Sequence, residues 1–309
     1  MHEIAALYLC WAPAGAATVS RFLKSYHAHP AGASHRLYVI LNGYTGGQQD
    51  LLDVINASRC SVITTPWSMV DLAAYRWAAN YVKEKYICPL SAYARILCDG
   101  WLGKLRDALA LPGVGLVGAT GSWESHYTDR ALWCQRANHY FGLQEVFADY
   151  PTWPNPHIRT TACLLEREHW LDPVMWAPFD AVPVQSLTIE FDIKNPPGEV
   201  HRMTKSDALL MESGYNSLTQ CMTKRGLRSL VVGRGGAFEV EDWGRSWTFR
   251  DGTQDNLIVA DNQTDAWTVM SAEEKAYHRA ITWDALSLLQ PYDKMLIEGE
   301  TAWGRVKVS

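Results

Sequence analysis

The sequence predicts an α/β fold built on a mostly parallel sheet flanked by helices. Three observations support this. Short apolar runs alternate with amphipathic segments through the first 140 residues, Gly43 stops the second run, and Pro66 stops the third. A length of 309 residues suits one compact α/β core with a C-terminal elaboration. The expected division is 1–140 for a ligand-binding core, 141–265 for the remainder of the same domain, and 266–309 for a C-terminal extension.

The first strand is expected over Ile4–Cys10. It lacks the basic start of a secretory leader, and its apolar run is short, so a cytoplasmic protein is expected. Val19, Phe22, Leu23 and Tyr26 fall at helical spacing. Arg36–Asn42 is a buried strand stopped by Gly43. Leu51, Leu52 and Ile55 form a helical face, and Cys60–Thr65 is a third strand stopped by Pro66. Ser68 with Asp71 three residues on resembles a capping box before a helix over Leu72–Lys83. Tyr86–Leu90 is a weaker strand because Pro89 donates nothing to a ladder. A helix starting at Asp99 turns Trp101, Leu102, Leu105 and Leu109 inward, and Val114–Val117 is the fifth strand. Eight prolines between Tyr150 and Pro197 interrupt any long period there, leaving Thr160–Leu165 as the clear run. A helix around Leu209–Arg225, ended by Gly226, precedes a strand over Leu227–Val232.

Composition removes several classes of function. A net charge of −5 with no Lys/Arg run argues against a nucleic-acid surface. No run reaches the ~20 apolar residues of a membrane helix. Seven dispersed cysteines without a CxxC pair indicate neither a disulfide framework nor a zinc site. Gly113-Val-Gly-Leu-Val-Gly118 satisfies GxGxxG, yet it covers the strand itself rather than the turn after it, so dinucleotide binding is not expected. No GxxxxGK[ST], HExxH or GxSxG is present.

In an open α/β sheet, ligands bind at the carboxyl ends of the strands. Trp11, Ala12 and Pro13, then Asn42, Gly43 and Tyr44, then Ser91 to Arg95 occupy those ends, and such aromatic and polar groups suit a base and ribose.

Leu90-Ser-Ala-Tyr-Ala-Arg-Ile-Leu-Cys-Asp-Gly-Trp-Leu-Gly-Lys-Leu105, followed by Gly113-Val-Gly-Leu-Val-Gly-Ala-Thr-Gly-Ser122, resembles the middle of a family-2-like glycosyltransferase with the GT-A fold. Asn155-Pro-His-Ile-Arg-Thr-Thr161 resembles its acceptor-side segment, and Glu212-Ser-Gly-Tyr-Asn-Ser-Leu-Thr219 resembles the helix carrying its catalytic acid residue. The resemblance spans about residues 5–265 and is nearest to a bacterial and phage branch ending in a DNQT segment, here Asp261–Thr264.

It implies transfer of a sugar from a nucleotide-sugar donor to the hydroxyl of a glycan or other acceptor. Glu212 is then the base, with Asp207 in reserve, and Lys205, with Arg95 or Arg159, meets the diphosphate charge. Trp11, Pro13, Asn42, Tyr44, Asp71, Tyr75, Ser91, Tyr93 and Arg95 contact the donor, while Trp123, Glu124, His157 and Arg159 contact the acceptor. Trp153 joins that side, and Trp243, Ser246, Gln254, Asn256, Asp261, Asn262 and Gln263 form a polar C-terminal cluster. The chain departs from the family at two points. The metal-binding DxD falls on Ser91-Ala-Tyr93, so Mg²⁺ or Mn²⁺ is not expected to be held there, and the second acid of the family's ED pair falls on Ser213. Alternative readings are a non-catalytic carbohydrate- or nucleotide-binding protein of the same fold, and a nucleotidyltransferase.

Overall fold

β1 (Ile4–Trp11) is buried at every position but its last. Its neighbours explain why, since it pairs in parallel with β2 (His35–Asn42) on one side and with β4 (Tyr86–Leu90) on the other. Successive side chains point to opposite faces of a strand. Ile4, Ala6, Tyr8 and Cys10 therefore enter one apolar cluster, with Val39, Leu41, Phe22, Trp101 and Leu105. Ala5, Leu7 and Leu9 enter the other, with Tyr38, Ile40, Leu72, Tyr75, Trp170 and Trp243. Helices cover both faces, which is why the strands read as continuous apolar runs.

The computed structural model describes residues 2–127, 149–173, 175–176 and 203–284. In chain order, β1 is followed by α1 (Gly15–Ala28), β2, α2 (Gln49–Ala57), β3 (Ser61–Thr64), α3 (Asp71–Ala79), β4, β5 (Arg95–Ile96), α4 (Trp101–Leu109), β6 (Val114–Gly118) and β7 (Gly121–Ser122). Then come β8 (His157–Ile158), β9 (Cys163–Glu166), α5 (Arg167–Leu171), α6 (Lys205–Ser213), α7 (Leu218–Lys224), β10 (Arg228–Gly233), β11 (Gly236–Phe238), β12 (Val259–Ala260), α8 (Asn262–Val269) and α9 (Ala272–Trp283). The main sheet has eight strands in the order β11-β10-β6-β9-β4-β1-β2-β3. The fold is a mixed α/β one with a large, mostly parallel sheet flanked by helices.

β9 runs antiparallel between β4 and β6 and divides the parallel strands into two groups. Its ladder with β4 covers only Tyr86 and Ile87. The Pro89 carbonyl faces the same side, accepting the Ala162 N–H at 2.8 Å. Pro89 is thus held on that side by its carbonyl alone, since proline has no N–H to offer a neighbouring strand.

Several local expectations differ from the structure. The α3 N-cap is Val70 without a side-chain cap, so Ser68 and Asp71 form no capping box. Ser68 instead covers Gly43, where an added Cβ would lie 3.1 Å from its hydroxyl. Helix α3 ends at Ala79, not Lys83. Helix α4 starts at Trp101, because the first-turn N–H groups of Gly100, Leu102 and Gly103 are taken by the Pro30 and Ala31 carbonyls. Asp99 lies outside it and pairs with His29 at 2.8 Å. The helix expected over Leu209–Arg225 is two, broken at Gly214–Ser217; Ser217 caps the second. The boundary expected after residue 265 falls inside α8, and Trp283 of α9 belongs to the second core cluster. The expected extension beyond residue 284, and Cys134, lie outside the described residues. The other six cysteines are free thiols, and among the described residues no helix is long and apolar enough to cross a membrane.

Candidate functional site

Register fixes the edge of the sheet at which the expected donor residues stand. Trp11 pairs with Asn42, Leu41 with Thr64, and Tyr8 with Leu90, so β1, β2, β3 and β4 all end at one side. Trp11 and Pro13 are exposed there, Tyr44 is half-buried against the first cluster, and Ser91 and Tyr93 follow β4 half-buried. The Tyr8 hydroxyl reaches between them to the Ala92 carbonyl at 3.0 Å, anchoring the turn after β4.

Asn42 has a different task from the one its position suggests. Its amide donates to the Met69 carbonyl at 2.7 Å, and its carbonyl oxygen accepts the Met69 N–H at 2.8 Å and the Thr65 hydroxyl at 3.0 Å. The side chain acts as a piece of backbone that ties the end of β2 to the segment leading into α3. Tyr75, also expected at the donor, points into the second core cluster and is 1% exposed. Burial raises its phenol well above the usual range, and its ring meets Trp170 edge-on. A helix face that reads as site from the sequence is here core, because α3 lies flat on the sheet.

Lys205 and Glu212 stand at opposite ends of α6, and Arg159 directly follows β8. Glu212 Oε1 accepts both the Thr160 N–H at 2.8 Å and the Thr160 hydroxyl at 3.2 Å. His157 is buried three residues earlier, with Nδ1 donating to the Asn155 carbonyl at 2.8 Å. Burial pushes its imidazole down, partly opposed by the Glu212 and Glu124 carboxylates. Arg159, between them, is 8% exposed. It pairs with Asp261 at 3.0 Å and lies over the Phe249 ring at 4.2 Å, while its Nη1 has no hydrogen-bond partner among the described residues. The Ser91 hydroxyl is likewise buried without a partner. Unpartnered buried donors are costly, about 1–3 kcal/mol each, and a bound ligand or water is one way to satisfy them.

Asp261 is positioned by its own helix. It is the N-cap of α8, taking the Gln263 and Thr264 N–H groups, while the Thr264 hydroxyl accepts the Asp261 N–H. The DNQT segment is therefore a capping box whose acid also faces Arg159. Burial alone would raise the Asp261 carboxyl, but the Arg159 guanidinium and the Thr264 bonds outweigh it and hold it below the carboxylate range. Helix α8 also supplies Asp265 to Arg95 at 2.6 Å, so the Arg95 charge is met by a carboxylate. Lys205 opens α6 and faces Asp71 of α3 at 3.8 Å, both partly exposed. Asp207 closes a capping box with Thr204.

Glu124 pairs with Arg250 at 3.1 Å, and Arg250 also reaches the Thr282 hydroxyl at 3.2 Å. Burial would raise the Glu124 carboxyl; Arg250 and the nearby His126, His157 and His278 together lower it. Trp123 packs edge-on against both Trp153 and Trp283. Nothing in the sequence marks Arg250 and His278, and the bond from Thr160 to Glu212 is not legible there either, because these roles arise from segments that meet only on folding. Within the C-terminal cluster, Gln254 donates to the Thr264 carbonyl, Asn256 to the Ser246 carbonyl, and Trp243 to the Phe238 carbonyl. Gln263 receives a long 3.5 Å bond from Arg250.

The donor set does not suit a hard divalent cation. Ser91 and Tyr93 are neutral hydroxyls, which hard divalent cations favour less than carboxylates.

No protein-family model matches the chain, and no curated protein matches it. Among solved structures, the chain is similar to a mannosyltransferase from Pyrobaculum calidifontis in complex with GDP-Man and Mn²⁺, at 12% identity and a TM-score of 0.45, over 98% of this chain and 76% of that one. It is also similar to glucosyl-3-phosphoglycerate synthase from Mycobacterium tuberculosis in complex with Mn²⁺, uridine diphosphate and glucosyl-3-phosphoglycerate, at 15% identity and a TM-score of 0.36, over 54% of this chain and 58% of that one.

Proposed function

We propose that this protein is a glycosyltransferase that moves a sugar from a nucleotide-sugar donor to an acceptor hydroxyl, with Glu212 as the general base. The observation that carries the reading is that Glu212 is held through Oε1 by Thr160, the chain neighbour of Arg159, whose buried Nη1 has no hydrogen-bond partner among the described residues. Holding one oxygen leaves the other to take a proton, and an unpaired guanidinium N–H is suited to a ligand oxygen.

The acceptor hydroxyl would give its proton to Glu212 as its oxygen attacks the anomeric carbon. The bond from that carbon to the donor phosphate breaks, and the nucleoside diphosphate leaves with the electron pair. Lys205 and Arg159 supply positive charge for the leaving group and need no metal loading. Trp11, Pro13 and Tyr44 would hold the base and ribose on the strand-end shelf, with Asp71, Ser91 and Tyr93 beside them. Trp123, Glu124 and His157 would line the acceptor side. Residues 1–140 would then carry the donor and 141–265 the acceptor and base.

The test is product formation. The protein is incubated with UDP-, GDP- and dTDP-sugars and a panel of glycan acceptors, and released nucleoside diphosphate is measured. Turnover lost in Glu212→Gln with donor binding kept supports the reading; no product with any pair overturns it. A silent binding protein of the same fold is the second reading, favoured by the neutral Ser91 and Tyr93. It would bind donor or glycan without turnover.

A further inference from the structure

The segment Trp247–Asn256 holds three non-glycine residues at positive φ: Trp247 (56°), Arg250 (46°) and Gln254 (57°). Left-handed backbone is unfavourable for such residues and persists only where the surroundings hold it in place. For two of them the return is structural. Arg250 is buried on Glu124 and Thr282, and Gln254 is buried with its amide on the Thr264 carbonyl. Trp247 differs, because its indole is 53% exposed.

What holds Trp247 in place is its backbone and its base. Its carbonyl accepts the Asn256 N–H at 3.2 Å, and its ring leans over Gly252, where an added Cβ would lie 3.9 Å from the indole. Gly252 is itself at φ 51°, a conformation that glycine adopts freely. Trp247 lines an open surface concavity of about 320 Å³ together with Phe238, Arg245, Ser246, Asp255 and Asn256. Arg245 and Asp255 are exposed at its rim and Asn256 is half-buried. The Asn256 side chain is spent on the Ser246 carbonyl and the Gly235 N–H, so it braces the wall.

A fixed, exposed indole bordering an open cavity with a guanidinium and a carboxylate at the rim has the chemistry of a saccharide site. The apolar face of a sugar ring stacks on the indole, and its hydroxyls take planar, charged hydrogen-bonding groups. We infer that Trp247, Arg245 and Asp255 form a binding site for one or two sugar units of an oligosaccharide. The site is built from the segment after β11 and shares none of the residues assigned above to transfer. It stands whether or not the chain proves to be a transferase.

The test is titration calorimetry of the full chain with mannohexaose, cellohexaose and chitohexaose, each in wild type, Trp247→Asn and Glu212→Gln. Asparagine tolerates the left-handed conformation, so the loop is kept while the indole is removed. Circular dichroism and melting temperature show whether each variant is folded. The expected result is binding of at least one hexasaccharide, weakened roughly tenfold or more in Trp247→Asn, the effect of losing one stacked ring, and unchanged in Glu212→Gln. Arg245→Ala gives a second reading should Trp247→Asn fail to fold, and is expected to weaken the same ligand. The inference is overturned if no hexasaccharide binds wild type, or if the folded Trp247 or Arg245 variant binds with unchanged affinity. Binding lost in Glu212→Gln but kept in Trp247→Asn would place the saccharide at the transfer site and overturn it equally.

Discussion

Thr160 gives both its backbone N–H and its hydroxyl to one oxygen of Glu212, at 2.8 and 3.2 Å. Two donors on one oxygen hold the carboxylate, and in the proposed function the second oxygen takes the acceptor proton. Glu212→Gln keeps an acceptor for Thr160 and removes the basicity. Turnover is expected to fall by about 10²–10⁴, the usual worth of a general base, while donor affinity changes little. Steady-state release of nucleoside diphosphate with calorimetric donor binding measures both.

Asp261→Asn separates the cap from the charge. Asparagine caps a helix as well as aspartate does, so α8 keeps its first turn. Arg159, however, is left buried without its counter-charge, and a loss of about 3–5 kcal/mol is expected in urea unfolding. A loss under about 1 kcal/mol would mean that the pair is solvated in practice.

Stability should fall as pH drops from neutral. Burial and the Arg250 charge push His278 down to about 4 from 6.5, and burial lowers His157 as well. The folded state thus takes up these protons later than the unfolded chain, whose histidines titrate near 6.5. Their contribution is complete above that value and shrinks as pH falls from it toward the folded pKa. Glu124 and Asp261 are also held below the carboxylate range, so their share is lost at lower pH still, as it falls through their folded pKa values. Melting temperatures between pH 8 and 4 should decline, and His278→Gln should flatten the upper part of the curve.

Gly103→Ala tests packing against propensity. Alanine is the better helix former by about 1 kcal/mol. Its Cβ would nevertheless lie 2.7 Å from the Gly32 carbonyl oxygen, and backbone there has little room to move. A net loss of about 1–3 kcal/mol is expected in chemical denaturation.

Asn42→Ala removes the side chain that bridges Thr65 and Met69. Several buried polar groups lose partners at about 1–3 kcal/mol each, so a loss above 2 kcal/mol is expected, with faster hydrogen exchange at Met69. A variant of normal stability that loses donor affinity would return Asn42 to the ligand.

The sequence by itself determined the main-sheet strands and the helices of the first 118 residues, but not the short β5. Five apolar strands and four intervening helices are written in periodicity and in Gly and Pro stops, signals local enough to survive without tertiary context. The carboxyl-edge position of Trp11, Asn42 and Ser91 followed from that order. Tertiary structure decided the rest. The antiparallel insertion of β9 between β4 and β6 depends on pairing partners far apart in the chain, which no local pattern encodes. The same holds for function, where Asn42 and Tyr75 carry residue types suited to a ligand but are turned to clamp and core. Asp261 meets Arg159 across 102 positions only because α8 caps itself at that place. Propensity and periodicity act over a few residues, whereas burial, charge pairing and the fate of each polar atom are set by which segments come to lie together.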